Sequence, residues 1–167
     1  MARSRVVVVT ALVTALAGSA ASGWWVGGHA AATTSAVVVD VVDGDTIVVE
    51  LPNHAHDTVR LLGVDTPETV HPERGVECFG PEASAFTKRH LLGRRVVLER
   101  DVEPRDRYDR RLARVLVDGD AFNARLLREG YARFLVVPPN LAHAREMLAL
   151  ELAARRAGRG LWGACTR

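Results

Sequence analysis

The sequence predicts a mainly β domain with attached helices, built as a small β-barrel. Short β-branched runs separated by Gly, Asp and Pro turns are typical of antiparallel strands. Helical stretches follow in the second half, and the sequence contains neither internal repeats nor a Gly-rich phosphate loop. At 167 residues, 48% apolar and 25% charged, the chain has the composition of one folded domain. Strand runs followed by helices therefore favour an α+β barrel.

The first three strands are predicted as a hairpin and a returning strand. Val37–Val42 and Thr46–Leu51 are rich in β-branched residues, and Asp43-Gly44-Asp45 between them is a turn signal. A polar loop follows. Thr58–Leu62 then forms the third strand, which ends at Gly63.

The rest of the chain alternates helices with strands after a polar loop over residues 65–80. Pro81 suits the first turn of a helix that continues to Leu92. The later elements are predicted as strands over 95–99 and 112–117, a helix over 121–129, a strand over 131–137 and a helix over 141–156. In the last helix the predicted core contacts are Leu141, Met147, Leu148 and Leu152.

The first 32 residues resemble an export leader and not a part of the domain. Arg3 and Arg5 are the only charged residues before Asp40, and the run over 6–28 carries no charge. A basic start, an apolar run and small residues are typical of a secretory signal. The run is also long enough to cross a bilayer. A cleaved signal and a retained membrane anchor both remain open, and either would export the domain predicted over 33–167.

Net charge gives no argument for a polyanionic partner. The chain has 22 basic and 20 acidic residues, and the two leader arginines account for the whole excess. The predicted domain is therefore near neutral, and any nucleic-acid partner must be recognised by the local arrangement of charges.

Two acidic clusters flank the third strand. Asp43 and Asp45 lie in the hairpin turn, whereas Asp65, Thr66 and Glu68 lie just past the end of the strand. Calcium prefers several oxygen ligands, which carboxylates meeting at one end of a barrel would supply. By spacing alone, however, an ordinary turn in which Asp65 bonds to backbone is the better interpretation.

Basic residues near these clusters suggest phosphoryl chemistry. Arg60 interrupts the apolar third strand, and residues 105–111 form a loop rich in Arg and Asp. Solvent-facing positions would explain both patterns. Phosphoryl transfer, however, needs little besides positioned cations, a base that activates water and a metal. Two arginines, one acid and an acidic site for a cation would meet these needs.

Cys78 and Cys165 are the only cysteines. Exported cysteines usually pair, and a bridge closing so long a loop contributes about 4 kcal/mol in the chain-entropy model. Two free thiols are the alternative, and no spacing suggests zinc.

Four motifs occurring in order are similar to those of the staphylococcal nuclease (thermonuclease) family. Together they are specific, and the resemblance covers about Val37 to Trp162. The motifs are Val42–Thr46, Arg60–Thr69, Gly80–Lys88 and Asp106–Arg110.

The resemblance implies a five-stranded OB-fold barrel with three attached helices. It also implies a calcium-dependent endonuclease that cleaves DNA and RNA and leaves 3′-phosphate ends, with a calcium ion as cofactor. A monomer is the default expectation. The alternative from another class is a catalytically silent OB-fold module that only binds nucleic acid. The presence of Arg60, Glu68 and Arg110 favours the enzyme.

The resemblance also assigns roles to individual residues. Asp45 and Asp65 match the calcium carboxylates, Thr66 the residue that offers a backbone carbonyl, Glu68 the acid that activates water, Arg60 and Arg110 the phosphate-binding arginines, and Tyr108, with its neighbour Arg107, the substrate-binding position. Val136 and Pro138 stand where the family's type member has tyrosines that line the base pocket. We therefore expect weaker base stacking here.

Overall fold

Five strands close into a barrel in the computed structural model, which describes residues 32–69 and 75–165. The strands are β1 (Thr33–Asp43), β2 (Thr46–Glu50), β3 (His56–Leu61), β4 (Val64–Asp65), β5 (Arg95–Glu99), β6 (Arg111–Val117), β7 (Asp120–Ala121) and β8 (Arg133–Phe134). The helices are α1 (Gly80–Leu91), α2 (Phe122–Glu129), α3 (Ala144–Arg156) and α4 (Leu161–Ala164). The predicted five-stranded barrel with three helices is confirmed, with α4 as a short addition.

The long strand β1 and a parallel pair close the barrel. The order of the barrel strands is β3-β2-β1-β5-β6, and β6 also pairs with β3 in parallel. β1 pairs with β5 along its first half and with β2 along its second half. Register shifts between Val38 and Asp40 and between Val41 and Asp43 interrupt the second pairing. Such bulges bend a strand and increase its twist, which a closed sheet requires.

Alternate residues of the barrel strands form the core. Val59 and Leu61 of β3 and Val115 of β6 are fully or almost fully buried, and α1 and α2 cover the barrel with Phe86 and Phe122. Burying a side chain of this size stabilises the fold by about 1.5–3 kcal/mol. Because successive side chains of a strand point to opposite faces, alternate residues of each strand form its inward face.

The predicted strand over 131–137 is too long, and the strand that does form is not part of the barrel. Only β8 forms, and it pairs with β4 in a separate two-stranded sheet. Pro138 and Pro139 follow shortly afterwards, and neither can donate a ladder hydrogen bond. The segment after them is held by tertiary contacts: Asn140 bonds to the backbone of Glu103, and the Ala142 amide donates to Asp101. These bonds delay the last helix to Ala144.

Three of the four core contacts predicted for the last helix are wrong. Leu141 precedes α3, and with Leu148 and Leu152 it is 41–47% exposed. Met147 is buried as expected, together with Glu151 and Ala154. The spacing of 147, 151 and 154 marks one helical face, which packs on α2, and the leucines lie on another.

A disulfide joins Cys78, just before α1, to Cys165, just after α4, with 5.9 Å between the Cα atoms. It ties the chain's last described residue to the entrance of the first helix. No helix in the described part of the chain is long and apolar enough to cross a bilayer. The apolar run over 6–28, on which both export hypotheses rest, lies outside that part.

Candidate functional site

The first hairpin turn is pressed against the segment that follows β4. A Cβ on Gly44 would lie 2.8 Å from the Thr66 side chain, so only glycine allows this approach. The Thr87 hydroxyl of α1 donates to the Gly44 carbonyl at 2.6 Å and fixes the turn from the other side. The turn therefore brings Asp43 and Asp45 next to the residues after β4.

Asp45 connects three segments through one buried carboxylate. Its Oδ2 accepts the Thr66 amide at 2.9 Å and lies 3.1 Å from Arg60 Nη2. Its Oδ1 accepts the Thr46 hydroxyl at 3.1 Å. Since the residue is only 6% exposed, these contacts are needed to offset the cost of burying its charge.

Arg60 is not a solvent-facing residue, because its side chain is 14% exposed. Its Nη1 donates to the carbonyls of Leu61 at 2.9 Å and Val64 at 2.6 Å. Its Nη2 lies 3.3 Å from Asp65 as well as close to Asp45. The guanidinium is thus held in one orientation at the edge of the acidic cluster.

Glu68 completes a group of four neighbouring carboxyl groups. Burial, followed by the charge of Asp43 and a hydrogen bond with it, raises the pKa of Glu68 above its ordinary value, and Asp45 and Asp65 add to the effect. Burial, followed by the charge of Asp45, also raises the pKa of Asp65, against the opposing charges of Arg60 and Arg133. Carboxyl groups gathered in this way repel one another, and a bound cation would relieve the repulsion.

The backbone around Glu68 is held at both ends of a loop. The Glu77 amide donates to the Glu68 carbonyl at 2.9 Å, and the Glu68 amide donates to Glu77 Oε2 at 3.3 Å. A Cβ on Gly80 would lie 2.6 Å from the Glu68 carbonyl oxygen, so the helix entrance also needs glycine. Residues 70–74 between these anchors lie outside the described part.

The second basic element is the loop before β6. Asp106 accepts the Arg110 amide at 2.9 Å, Nε at 2.8 Å and Nη2 at 2.7 Å. Burial alone would raise the pKa of Asp106, but the hydrogen bonds from Arg110 and the Tyr108 amide outweigh it and hold the pKa below its ordinary value. Asp106 therefore stays ionised and fixes the direction of the Arg110 side chain.

Tyr108 projects from the same loop and is 64% exposed. Arg107 donates to its hydroxyl at 2.6 Å, and the guanidinium carbons of Arg107 and Arg110 lie 4.7 and 5.4 Å from the ring centre. Cations at this distance are attracted to the face of an aromatic ring. The loop thus presents an exposed aromatic ring with two guanidinium groups close to it.

The parallel pairing of β3 with β6 brings the strand that carries Arg60 next to the start of β6, which Arg110 immediately precedes. Val59 of β3 lies opposite Arg111 of β6, so Arg60 follows this register point and Arg110 precedes it. Arg60 alternates with Val59 and Leu61, which face the barrel interior. Among the described residues, no ion pair links Arg110 to Asp45, Asp65 or Glu68. Arg60 contacts two carboxylates of the acidic cluster, whereas Arg110 is held by Asp106 in its own loop.

The donors around Asp45 fit a hard cation such as calcium. Asp45 and Asp65 carry carboxylate oxygens, and the buried Thr66 hydroxyl has no hydrogen-bond partner in the described part of the chain. Oxygen donors of this kind are what calcium prefers. No three acidic, His or Cys side chains of the described residues are arranged as a ready-made metal site. Arg60, in contact with both carboxylates, instead supplies positive charge there.

Comparison with known proteins identifies the family. The profile described as "Staphylococcal nuclease homologue" matches residues 58–164. The chain belongs to the staphylococcal nuclease family. It is 50% identical over 100 residues to a thermonuclease of Staphylococcus intermedius, covering 60% of this chain and 59% of that one, and 41% identical over 125 residues to a thermonuclease of Staphylococcus hyicus, covering 75% and 73%.

A third relative, endonuclease YncB of Bacillus subtilis, is 40% identical over 123 residues, which cover 72% of this chain and 58% of YncB. The chain thus spans less than two thirds of two of these three relatives. At the level of the family, the predicted resemblance and the predicted enzyme class, a nuclease, are confirmed.

Two carboxylates of the site have no individual role in the sequence analysis. Asp43 is named there only as a member of the acidic hairpin turn, yet in the structure it is buried, accepts the Thr69 hydroxyl at 3.2 Å and shares a hydrogen bond with Glu68. Asp106 received no role although it holds Arg110. The four-residue spacing of Asp106 and Arg110 was an available signal, whereas nothing local to Asp43 pointed to Glu68.

Proposed function

We propose that this protein is an exported, calcium-dependent endonuclease that hydrolyses phosphodiester bonds of DNA and RNA and leaves 3′-phosphate ends. One observation carries the proposal: the Arg60 guanidinium is fixed by two carbonyls and two carboxylates at the edge of a cluster that includes Glu68. A fixed cation beside a carboxyl base is the arrangement that phosphoryl transfer requires.

In this proposal, Asp45, Asp65 and the Thr66 carbonyl would hold calcium, which when bound would supply positive charge for a phosphoryl oxygen. Glu68 accepts a proton from the attacking water, and it must be ionised to do so. Arg60 and Arg110 stabilise the charge that develops on the phosphoryl oxygens in the transition state. Since both side chains are already held by carboxylates, little reorganisation is needed when the substrate arrives.

Substrate binding is assigned to the loop that carries Tyr108 and Arg107. The exposed ring and its flanking guanidinium groups suit contact with a nucleotide phosphate or base. Val136 is exposed and lines a largely apolar groove of about 400 Å³ between the ends of β5 and α3. A valine there offers no aromatic face for stacking, so we expect modest affinity for single nucleotides.

Export follows from the leader hypothesis, with a cleaved signal or an anchor through residues 6–28 as its two forms. The disulfide supports an oxidising compartment, because such bonds persist there. N-terminal sequencing of protein recovered outside the cytoplasm distinguishes the two forms, and recovery of the intact chain from the cytosol would contradict both.

The deciding experiment is a plasmid-nicking assay with purified protein in calcium and in EDTA. We expect nicking in calcium only, and calcium-dependent cleavage of an RNA as well. New ends should resist polymerase extension until a 3′-phosphatase treats them. Binding of DNA without nicking would instead support the silent OB-fold module, and nicking in EDTA would overturn the calcium requirement.

A further inference from the structure

A charged residue, Asp57, occupies an inward position of β3. It shares the face of Val59 and Leu61, both buried in the core, because side chains on a strand alternate. Its side chain is only 10% exposed. An ionised carboxylate in such a place is unfavourable unless it is paired and hydrogen-bonded.

Two arginines supply that pairing. Arg105 donates from Nη1 and Nη2 to the two Asp57 oxygens at 3.2 and 2.9 Å. Arg111 approaches Asp57 Oδ2 with Nε and Nη2, each at 2.9 Å. One carboxylate thus accepts both guanidinium groups, and bidentate pairs of this kind are geometrically specific.

Arg105 and Arg111 are the two ends of the loop that carries Tyr108 and Arg110. They form an isolated antiparallel bridge with each other, and Arg105 also donates to the Asp109 carbonyl inside the loop. Asp109 adopts a left-handed backbone conformation, with φ of 64°. A non-glycine residue in this conformation needs support from its surroundings.

We propose that Asp57 is a positioning residue, because it clamps both ends of the 105–111 loop and thereby holds Arg110 where it meets the phosphate. The inference rests on the proposed function. Asp57 fixes the ends of the loop, and Asp106 fixes Arg110 within it. Residue 57 lies outside all four motifs by which the sequence resembles the family.

The test compares Asp57→Asn with a matched control, Glu99→Gln. Glu99 pairs with Arg114 at 2.8 Å across β5 and β6 and is also largely buried, but it does not touch the loop. Loss of positioning typically lowers turnover by up to about a hundredfold. We expect Asp57→Asn to lower kcat about ten- to a hundredfold, with KM within about twofold, well below the melting temperature. Glu99→Gln should retain turnover.

A double-mutant cycle separates positioning from a merely structural role. In an Arg110→Ala background, measured under single turnover, Asp57→Asn should cause no further loss, because the group it positions is gone. An equal loss in both backgrounds would overturn the proposal. A parallel loss in Glu99→Gln at similar stability would overturn it as well.

Trypsin cleavage after Arg107 or Arg110 provides a readout that needs no nuclease activity. The loop of folded Asp57→Asn should be cut faster than that of Glu99→Gln. Unchanged cleavage would overturn the clamp even if the protein is an active nuclease. If trypsin cuts Asp57→Asn faster but the unmutated protein cannot nick DNA, the proposed function is refuted, and the positioning role with it. The observation that Asp57 holds the loop would still stand.

Discussion

Replacing Glu68 by glutamine tests the centre of the proposed chemistry. Gln keeps the size of the side chain and can still hydrogen-bond to Asp43, but it cannot accept a proton from water. General-base catalysis typically contributes about a hundred- to ten-thousandfold in rate. This range corresponds to about 2.7–5.4 kcal/mol of activation free energy. We therefore expect kcat to fall by at least about two orders of magnitude with little change in KM.

The surroundings of Glu68 allow this result to be distinguished from misfolding. Its carboxyl group lies among Asp43, Asp45 and Asp65, which all oppose its ionisation. Removing its charge relieves repulsion, so the variant should melt no lower than the parent in EDTA at neutral pH. A variant that is inactive and less stable would suggest disruption of the loop to Glu77 instead of loss of a base.

The assay is calcium-dependent nicking of a supercoiled plasmid, followed over time with the parent, Glu68→Gln and Glu82→Gln. Glu82 lies exposed in the first turn of α1 and controls for the loss of one negative charge. Cleavage by Glu68→Gln within a few-fold of the parent would refute the reasoning. The segment from Asp65 to Glu68 would then be an ordinary turn, as spacing alone suggested.

Four further predictions concern the residues around this centre. Arg110→Ala should lower kcat by about a hundred- to a thousandfold, as loss of a transition-state donor does, whereas Arg107→Ala should mainly raise KM; equal effects on kcat would contradict this division. Asp45→Ala should weaken calcium binding in calorimetry and lose activity, part of which returns at higher calcium concentration. The activity lost in Glu68→Gln should not return when calcium is raised. Cys165→Ser should lose about 4 kcal/mol of stability, or roughly 10–20 °C in melting temperature, yet stay active when cold; an unchanged melting temperature would count against the bridge. The pKa of Asp106 is lower in the folded protein than its unfolded value of 3.8, so ionised Asp106 stabilises the fold at pH values above 3.8. This stabilisation is lost as the pH falls through the folded pKa, and the stability deficit of Asp106→Asn should therefore shrink in acid titrations.

The barrel was readable from the sequence because its signals are local. The β-branched runs over 37–42 and 46–51 and the turn at Asp43-Gly44-Asp45 directly specify two strands and a hairpin. The sequence does not determine which face of the last helix is buried, because α3 has leucines on one face and Met147, Glu151 and Ala154 on another. Only the position of α2 decides which face is buried, and no local pattern carries that information.

The candidate site was predictable where its residues follow motifs and unpredictable where they meet across the fold. Asp45, Asp65 and Arg60 were identified in advance, although alternation also allowed Arg60 a solvent-facing position. Asp57 was placed in a polar loop, yet it begins the inward face of β3. Its partners lie 48 and 54 residues further along the chain, and only the closed barrel reveals that they meet.

Both halves of the candidate site use the same physical device. Asp45 holds Arg60 from the turn between β1 and β2, and Asp106 holds Arg110 within its loop. In each pair the carboxylate is the more buried partner, so water solvates its charge only in part, and the carboxylate holds the guanidinium in one geometry. The arginines are thereby oriented before a phosphate binds, and the free energy of ordering them belongs to folding and not to substrate binding. If this is correct, removing the carboxylate while keeping the arginine should impair turnover more than affinity, since an Arg left free can still attract a phosphate but no longer meets it in the transition-state geometry.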